Sequence, residues 1–368
     1  IMILIEDLFN ILKKNKISFF TGVPDSILKN FSNYFNKLDK NKHVIAVNEG
    51  SAVSIGIGRY LSTKKISCVY FQNSGLGNAI NPLISIAHKR VYSIPLLLII
   101  GWRGSPNKKD EPQHITKGKI TKHLLKLLNI NYCILRNKND LKKLNRLIKI
   151  SYRNKKPVAC LVENDILKTK KKYLGINKRT LLPYRKEFIF KLLKKISKNT
   201  KIISTTGYTS RELLQIRKEK KLSKGKDFYM VGGMGHASMV SLGISLNSRK
   251  KIICLDGDGS ILMHLGSLRT FGHLGNSNLK HILLNNNSHE SVGGQPTGAM
   301  GIDFKKLVKS IGYKNYFNIS RSKEISPTLK KFLNSKGPSF LEILITKGTL
   351  DNLSRPKDLI KIKNFFMD

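Results

Sequence analysis

Short apolar runs alternate with helical patterns along this chain, and the alternation constrains the fold more than any other feature. Runs such as "ISFFTGVP", "ISCVYFQNSG" and "PLLLIIGWRG" lie in the first half, with helical periodicity between runs over Ile27 to Leu38 and Ala52 to Leu61. The pattern predicts an α/β fold, in which helices pack on the faces of a parallel sheet. Because ligands bind at the carboxyl ends of strands in such sheets, we expect the informative residues directly after each apolar run.

The alternation stops once, in a charged segment, and then starts again. Residues 166–182, "ILKTKKKYLGINKRTLL", combine basic and turn-forming residues, and we predict that they form a linker. The runs "TKIISTTG", "KIICLDGDG" and "KHILLNNN" follow. We therefore predict two doubly wound parallel-sheet domains, residues 1–165 and 183–368, which suits a chain of 368 residues. The two halves share this alternation but no sequence repeat.

Membrane-spanning and secreted classes are disfavoured by the sequence. The longest apolar run, around Ile94 to Ile100, is far shorter than the roughly 20 residues that cross a bilayer. The first residues, "IMILIEDLFNILKK", lack the basic start and cleavage site of a secretory signal and predict an amphipathic helix. The 4 cysteines are scattered without a CxxC pair, so we interpret them as reduced thiols of a cytoplasmic protein.

The chain is strongly basic, with 67 lysine and arginine residues against 23 acidic ones and a formal net charge of +44. A basic surface attracts polyanions, so a nucleic-acid-binding protein is one interpretation. The other is a biased composition, because the lysines are spread along the whole chain and no recognition motif accompanies them. We favour the second and expect no nucleic-acid or membrane partner. A basic molecule would also steer a small anionic substrate towards its site.

Two polar motifs end two strand-like runs of the second half. In "CLDGDGS", Gly257 and Gly259 would let backbone N–H groups approach a phosphate, and Ser260 adds a hydroxyl at a helix start. Asp258 in that motif and Asn286 in "LLNNNS" supply a carboxylate and an amide oxygen. With a backbone carbonyl and diphosphate oxygens, they suit Mg²⁺. Each motif alone also fits a plain turn or loop, but together they favour a metal–diphosphate site.

The spacing of the two motifs resembles the signature of thiamin diphosphate enzymes, in which Gly-Asp-Gly precedes Asn-Asn by about 25 residues; here Ser260 to Leu284 lie between them. Competing nucleotide motifs fail, because no GxxxxGK[ST] is present and "GLGNAI" lacks the third glycine of the dinucleotide fingerprint. By this resemblance Asp258 and the Asn286 side chain hold Mg²⁺, and the Ser288 carbonyl is a third ligand. It also implies a pyrimidine-binding domain and a diphosphate-binding domain, without a central third domain.

The same resemblance implies contacts to the cofactor. Glu49, after "VIAVN", would hydrogen-bond the pyrimidine N1′ and thereby activate the cofactor. In "VGGMGHAS", the Gly232 carbonyl would bind the 4′-amino group and Met234 would keep the cofactor bent. Thr209 and Ser210 in "STTGYTSREL" would donate to the diphosphate. The structural alternatives are a helix-start glutamate, a glycine loop with a gap-filling methionine, and N-capping hydroxyls.

The stretches "GWRGSPNKKDEPQH" and "SVGGQPT" resemble one branch of this family, the decarboxylases of 2-oxo acids that carry a phosphonate or sulfonate. The resemblance spans residues 19–297. It implies decarboxylation of 3-phosphonopyruvate to phosphonoacetaldehyde and CO₂ in phosphonate biosynthesis, with sulfopyruvate or another 2-oxo acid as the alternative substrate. It also implies a homodimer or homotetramer with active sites at the subunit interface. Asn287 departs from the glycine expected there, in a geometry that asparagine tolerates.

An anionic substrate of this kind requires cationic or amide donors. Arg103 would hold its phosphonate bidentately, with Gln295 as an amide donor. His114 and His289 would relay protons at neutral pH. For these residues the structural alternatives are a surface arginine and loop histidines that cap local backbone. For the whole chain a further alternative is a partner subunit that has lost catalysis, but the presence of Glu49, Asp258 and Asn286 in one chain disfavours it. Three acidic residues would orient these groups: Asp25, Asp110 and Glu111.

Overall fold

The computed structural model describes residues 2–35, 38–39, 41–106, 108–169 and 181–368. The chain forms two compact units, one of Ile1–Gly175 with Val292–Gln295 and one of Ile176–Ser291 with Pro296–Asp368. The division falls inside the segment 166–182 that the sequence predicts as a linker. Most of that segment, residues 170–180, lies outside the described residues.

The first unit contains a six-stranded parallel sheet in the order β3-β2-β4-β5-β7-β6, and β1 pairs with β8 separately. Its strands are β1 Ile3–Leu4, β2 Phe20–Gly22, β3 His43–Ile45, β4 Ser67–Gln72, β5 Leu96–Gly101, β6 Asn131–Leu135, β7 Val158–Val162 and β8 Leu167–Lys168. Its α-helices are α1 Ile5–Lys14, α2 Lys29–Tyr34, α3 Glu49–Thr63, α4 Leu76–Pro82, α5 Pro112–Leu127 and α6 Asp140–Asn154.

The second unit contains another six-stranded parallel sheet, in the order β10-β9-β11-β12-β14-β13. Its strands are β9 Thr200–Ser204, β10 Lys226–Tyr229, β11 Lys251–Gly257, β12 Leu279–Asn285, β13 Asn315–Ile319 and β14 Ser339–Leu344. Its α-helices are α7 Arg185–Lys195, α8 Tyr208–Glu219, α9 Ala237–Leu246, α10 Asp258–Met263, α11 Ser267–Leu274, α12 Phe304–Ser310, α13 Ile325–Asn334 and α14 Leu359–Met367.

The two sheets have the same topology. Counted from β2 in the first unit and from β9 in the second, both strand orders read 2-1-3-4-6-5. The order therefore reverses between β2 and β4, and again between β9 and β11, and ligands bind at such reversals in doubly wound sheets. The predicted fold of two doubly wound α/β domains is confirmed, and the structure adds a repeated topology that the sequence does not show.

Buried central strands form the core of each unit. All six residues of β5 are buried, as are all seven of β12, because helices cover both faces of a parallel sheet. The amphipathic helix predicted at the N-terminus is confirmed as α1, which buries Ile5, Leu8 and Leu12. All four cysteines are free. In the part of the chain that the structure describes, no helix has the length and apolarity to cross a bilayer.

Candidate active site

Asp258 lies at the carboxyl end of β11, where it begins α10 in the second unit. Its side chain is buried, with 4% of its surface exposed, and Thr297 Oγ1 donates a 2.6 Å hydrogen bond to Oδ2. Burial raises the pKa of this carboxyl, while the hydroxyl of Thr297 and the backbone N–H groups of Gly259 and Ser288 oppose the rise. A desolvated carboxylate in this position gains from a bound cation, as the metal prediction requires.

The asparagine run begins with the last residue of β12, and the side chains of its first two residues have different hydrogen-bond partners. Asn285 Nδ2 donates to Glu342 Oε1 on the neighbouring strand β14, at 2.9 Å. Asn286 instead accepts the Ser288 N–H at its Oδ1, at 3.0 Å, and donates from Nδ2. Because Oδ1 keeps a second lone pair, Asn286 is the asparagine that suits a metal. Asn287 has a φ of 54°, so asparagine occupies the left-handed position where glycine was expected.

The donor set fits Mg²⁺. The Asp258 carboxylate, the Asn286 amide oxygen and the Ser288 carbonyl are hard oxygen ligands, which Mg²⁺ prefers. The Asp258 carboxylate also accepts the Ser288 N–H, so the two motifs meet around one carboxylate although 30 positions separate them. These three residues are the ones we expect to hold the metal of a diphosphate.

His289 packs directly over Gly259. A Cβ atom at Gly259 would lie 2.8 Å from His289 Cε1 and 3.2 Å from Thr297 Cγ2, so a larger residue here would displace the His289 ring. Burial lowers the pKa of His289 to about 4. The imidazole is therefore neutral at physiological pH, with one nitrogen to donate and one to accept. Gly257 is unobstructed, since its Cβ would meet no described atom within 4 Å.

Two of the predicted diphosphate hydroxyls make contacts inside the second unit. Ser260 Oγ accepts the Gly235 N–H at 3.0 Å and shares a hydrogen bond with Thr205 Oγ1 at 2.9 Å. The first turn of α10 is thereby tied to the loop before α9 and to the residue after β9. Ser210 Oγ donates to the Thr205 carbonyl at 2.7 Å. Thr209 lies beside it in the first turn of α8. Of the two hydroxyls predicted in α8, Ser210 thus has a clear internal role.

Gly232 and Met234 lie in the loop between β10 and α9, and both are half-buried. Gly233 and Gly235 adopt positive φ angles of 64° and 87° in this loop, a backbone region that glycine enters freely. The loop joins β10 to a helix at the carboxyl edge of the sheet. Gly232 and Met234 therefore lie at the ligand-binding end of the sheet, and their contacts to the pyrimidine stay predictions.

Glu49 is the first residue of α3 in the first unit, and it is 6% exposed. Asn48 caps the helix by accepting the Ser51 N–H at 2.8 Å. Asn78 Nδ2 donates to Glu49 Oε2 at 2.7 Å, and a Cβ atom at Gly75 would overlap the carboxylate. The "GLGNAI" segment, rejected as a nucleotide motif, thus holds the predicted catalytic glutamate in place.

We expect Gly75→Ala to lower kcat by about 100-fold, the scale of a misplaced catalytic group. Gly75 has a φ of −86°, which alanine adopts readily, so the effect would come from the clash with Glu49 rather than from backbone strain. Steady-state kinetics with thermal melting would measure it. The matched control is Gly77→Ala, where a Cβ meets no described atom within 4 Å. Equal kcat values for the two variants would contradict this account.

Asp25 is a buried carboxyl beside β5. It is 3% exposed, accepts the N–H groups of Ile27 at 2.9 Å and Leu28 at 3.1 Å, and would be struck by a Cβ atom at Gly101. Burial raises its pKa to about 6, although these N–H groups and Arg103 act against the rise. Sequence reasoning gave Asp25 only an orienting role, because the sequence does not show its desolvation. A carboxyl with this pKa retains a protonated fraction near neutral pH.

Arg103 is already paired within the first unit. Its Nε donates to Asp110 Oδ2 at 2.7 Å, and its Nη2 donates to the other oxygen of Asp110. Ser26 Oγ accepts from Nη1 at 3.2 Å, and Glu111 lies 4.0 Å from Nη2. Desolvation alone would raise the pKa of the Asp110 carboxyl. The hydrogen bonds from Arg103 and Gly104 and the positive charge of Arg103 outweigh it, so the pKa lies below its ordinary value. The guanidinium is therefore oriented by Asp110, as predicted.

His114, in the first turn of α5, is buried. Desolvation chiefly, with the positive charges of Arg103 and Lys117, lowers its pKa to about 4, against the opposing effect of Asp110. Its Nδ1 has no hydrogen-bond partner among the described residues. A buried, neutral imidazole with an unsatisfied nitrogen is a feature expected of a ligand-binding group.

Gln295 belongs to the short segment that packs with the first unit. It is 1% exposed, and its Nε2 donates to Ser32 Oγ at 2.8 Å and to Asn33 Oδ1 at 2.7 Å. Its Oε1 is buried without a partner among the described residues. The amide is thus anchored through its nitrogen, and only its oxygen remains to bind another group.

Comparison with known proteins agrees with this geometry. Residues 2–125 match the family described as thiamine pyrophosphate enzyme, N-terminal TPP binding domain, and residues 205–343 match the C-terminal TPP binding domain. The repeated fold and the polar strand ends thus define a two-domain thiamin diphosphate enzyme. The predicted cofactor, thiamin diphosphate, is confirmed by both matches.

Individual proteins similar to this chain indicate which group of thiamin diphosphate enzymes it belongs to. A phosphonopyruvate decarboxylase of Streptomyces viridochromogenes is 32% identical over 352 residues, covering 91% of this chain and 87% of that protein. A phosphonopyruvate decarboxylase of Streptomyces hygroscopicus is also 32% identical, and the match covers 91% of this chain and 86% of that protein. A sulfopyruvate decarboxylase of Methanosarcina acetivorans is 26% identical over 365 residues, covering 93% and 91%. The chain belongs to the family of thiamin diphosphate-dependent decarboxylases that includes these enzymes.

Proposed function

We propose that this enzyme decarboxylates 3-phosphonopyruvate to phosphonoacetaldehyde and CO₂. The observation that carries the proposal is the 32% identity to a phosphonopyruvate decarboxylase across 91% of the chain. It is supported by the residues themselves, because this one chain carries the metal-ligand set and the buried glutamate. The aldehyde product would then require a further reaction, and we place the enzyme in phosphonate biosynthesis and in the cytoplasm.

The metal and the cofactor would be held by residues described above. Asp258 and Asn286 side-chain oxygens and the Ser288 carbonyl would bind Mg²⁺, which neutralises the diphosphate. Thiamin diphosphate, when bound, supplies a carbon nucleophile and an electron sink for breaking the bond to the carboxylate. Glu49, fixed by Asn78, would hold a proton at the pyrimidine nitrogen. Its burial keeps water from competing for that hydrogen bond.

The substrate carries two anionic groups, and the first unit offers groups that suit them. Asp110 occupies the Nε and Nη2 donors on one edge of Arg103 and thereby orients the guanidinium. The remaining hydrogens of Nη1 and Nη2 would form the pair of donors that binds a phosphonate. His114 is neutral, so it binds through a hydrogen bond without adding a charge beside the arginine. Asp25, with a pKa of about 6, would supply a proton after the loss of CO₂. Gln295 does not serve as the anion donor expected from the sequence, because its Nε2 already donates to Ser32 and Asn33 and only its acceptor oxygen is left. His289 would contribute a neutral hydrogen-bonding imidazole beside Gly259.

We propose that the enzyme is a homodimer or homotetramer with active sites at the subunit interface. Glu49 and Asp258 belong to different units, and the resemblance implies a cofactor shared by two subunits. Relatives named as separate beta and alpha subunits of sulfopyruvate decarboxylase match 45% and 43% of this chain, so related enzymes also combine chains. Light scattering of the purified protein would give the number of subunits.

The experiment that tests the function compares two substrates. Purified protein with thiamin diphosphate and Mg²⁺ would be incubated with phosphonopyruvate or with sulfopyruvate, and the aldehyde followed by coupled reduction. We expect a higher kcat/KM for phosphonopyruvate. A preference for sulfopyruvate would favour the second candidate, which the similarity to the Methanosarcina enzyme supports.

Arg103→Lys should lower kcat/KM for phosphonopyruvate by about 10- to 100-fold. Lysine keeps the charge but loses the planar fork, and a charge-assisted hydrogen bond contributes about 1.5–3 kcal/mol. Steady-state kinetics would measure the loss. The control is Arg146→Lys on the exposed face of α6, which should leave kcat/KM unchanged. Equal effects of the two substitutions would remove Arg103 from the substrate site.

A further inference from the structure

A buried ion network lies behind the asparagine predicted to bind the metal. Arg185, the first residue of α7, is 5% exposed, and its Nη2 donates to Glu290 Oε2 at 2.7 Å. Its Nη1 lies 3.3 Å from Oε1 of Glu212, which is 1% exposed. The Arg185 guanidinium also lies 5.9 Å from the ring centre of Tyr208. One cation thus joins two carboxylates from different parts of the second unit.

Backbone groups from a third segment complete the network. The Gly348 N–H donates to Glu290 Oε1, and the Leu350 N–H donates to Glu212 Oε1 at 3.2 Å. The start of α7, the helix α8, the loop after β12 and the segment after β14 are therefore held together around Arg185. Glu290 has no freedom to turn, because each of its oxygens accepts a hydrogen bond.

The network ends on the side chain of Asn286. Glu290 Oε2 accepts a 3.0 Å hydrogen bond from Asn286 Nδ2, in addition to the bond from Arg185. This contact fixes which end of the amide faces Glu290, so that Oδ1 points to the opposite side. An amide turned the other way would present its N–H₂ group to a cation, which repels it. Partners of this kind orient metal ligands in many sites.

We propose that Glu290 and Arg185 are positioning residues that set the orientation of the Asn286 amide for the divalent metal of the cofactor. The inference rests on the proposed function, because that function requires the metal at Asn286. Arg185 holds Glu290, and Glu290 holds the amide nitrogen.

The test is a double-mutant cycle on metal affinity rather than on turnover. The dissociation constant of Mg²⁺ would be measured by calorimetry at saturating thiamin diphosphate. Glu290→Gln should raise it about tenfold or more, the usual effect of altering a group that orients a metal ligand. In an Asn286→Ala background the same substitution should have no further effect, because Glu290 would act only through that amide.

Arg185→Lys is the second variant, since it keeps the buried charge but cannot bridge Glu212 and Glu290 together. We expect a smaller rise in the dissociation constant, which also disappears in the Asn286→Ala background. The control is Glu187→Gln on α7, which breaks an ion pair with Lys191 at 2.7 Å that does not contact the asparagine loop. Thermal melting of the metal-free variants would monitor folding.

The outcomes separate the two proposals. Wild-type Mg²⁺ binding with an unchanged dissociation constant for folded Glu290→Gln would overturn the positioning role alone. Equal, additive losses in the wild-type and Asn286→Ala backgrounds would also overturn it, because they would indicate a general structural effect. Wild-type protein that binds thiamin diphosphate without any dependence on divalent metal would overturn the proposed metal site and the positioning role together.

Discussion

Glu49→Gln should lower kcat by about 10²–10⁴-fold while the protein still binds thiamin diphosphate. Glutamine keeps the size and the helix-start position of Glu49, so the packing against Gly75 persists. It removes the carboxylate that the 2.7 Å hydrogen bond from Asn78 holds in place. Proton transfer by a positioned side chain contributes about 10²–10⁴-fold to rate, and we expect kcat to fall by that amount. The measurements are kcat by coupled aldehyde reduction and cofactor affinity by calorimetry.

The control for this substitution is Glu219→Gln on the exposed surface of α8, which removes one carboxylate far along the helix from the site. It should leave both kcat and affinity unchanged. A kcat near that of the wild type for Glu49→Gln would remove Glu49 from the catalytic role. A loss of cofactor binding in step with activity would instead assign it a binding role.

The positions of the strands were readable from the sequence because buried parallel strands are nearly continuous apolar runs. "KIICLDGDG" and "KHILLNNN" mark β11 and β12, and their polar ends are where the sheet order requires ligand contacts. Asp258 and Asn286 could therefore be named from spacing as candidate metal ligands, a role that stays a prediction. The repeated topology could not, because strand order depends on tertiary pairing and the two halves share only the hydrophobic rhythm.

The partners of the site residues were not predictable, because they are distant in sequence. Thr297 donates to Asp258 across 39 positions, and Asn78 donates to Glu49 across 29. "SVGGQPT" and "GLGNAI" marked both segments as unusual, but a motif does not state which side chain it contacts. The hydrogen-bond partner of a hydroxyl group is equally unpredictable from sequence. Ser210 lies in a motif that predicts a donor to the diphosphate, but its hydroxyl donates to the Thr205 carbonyl.

Burial also changes the pKa values of side chains, and the sequence does not show which side chains are buried. The sequence suggests that histidines relay protons near their ordinary pKa, but desolvation lowers the pKa of His114 and of His289 to about 4. Conversely, Asp25 acquires a pKa of about 6 because it is almost fully buried. We therefore propose that Asp25, rather than either histidine, transfers the proton.

Asp258→Ala should eliminate Mg²⁺-dependent binding of thiamin diphosphate. Asp258 is the one carboxylate in the proposed ligand set, and its loss leaves only neutral oxygens to hold a divalent ion against a diphosphate. We expect the apparent affinity for the cofactor in Mg²⁺ to fall by at least about 100-fold, more than for a group that only orients a ligand. Calorimetric titration with and without Mg²⁺ would measure the change.

The substitution must be separated from general damage to the second unit. Asp303→Ala is a suitable control, because Asp303 caps α12 through a 3.0 Å bond to the Lys306 N–H and costs about 1 kcal/mol of stability when removed. It should lower the melting temperature and leave cofactor affinity intact. For Asp258→Ala we expect some loss of stability, because Thr297 Oγ1 loses its acceptor. The loss of cofactor affinity in Mg²⁺ should be far larger than for Asp303→Ala at a comparable change in melting temperature. Unchanged cofactor titration in Mg²⁺ would show that binding of the divalent ion and the diphosphate does not depend on Asp258, and would remove Asp258 from the proposed ligand set.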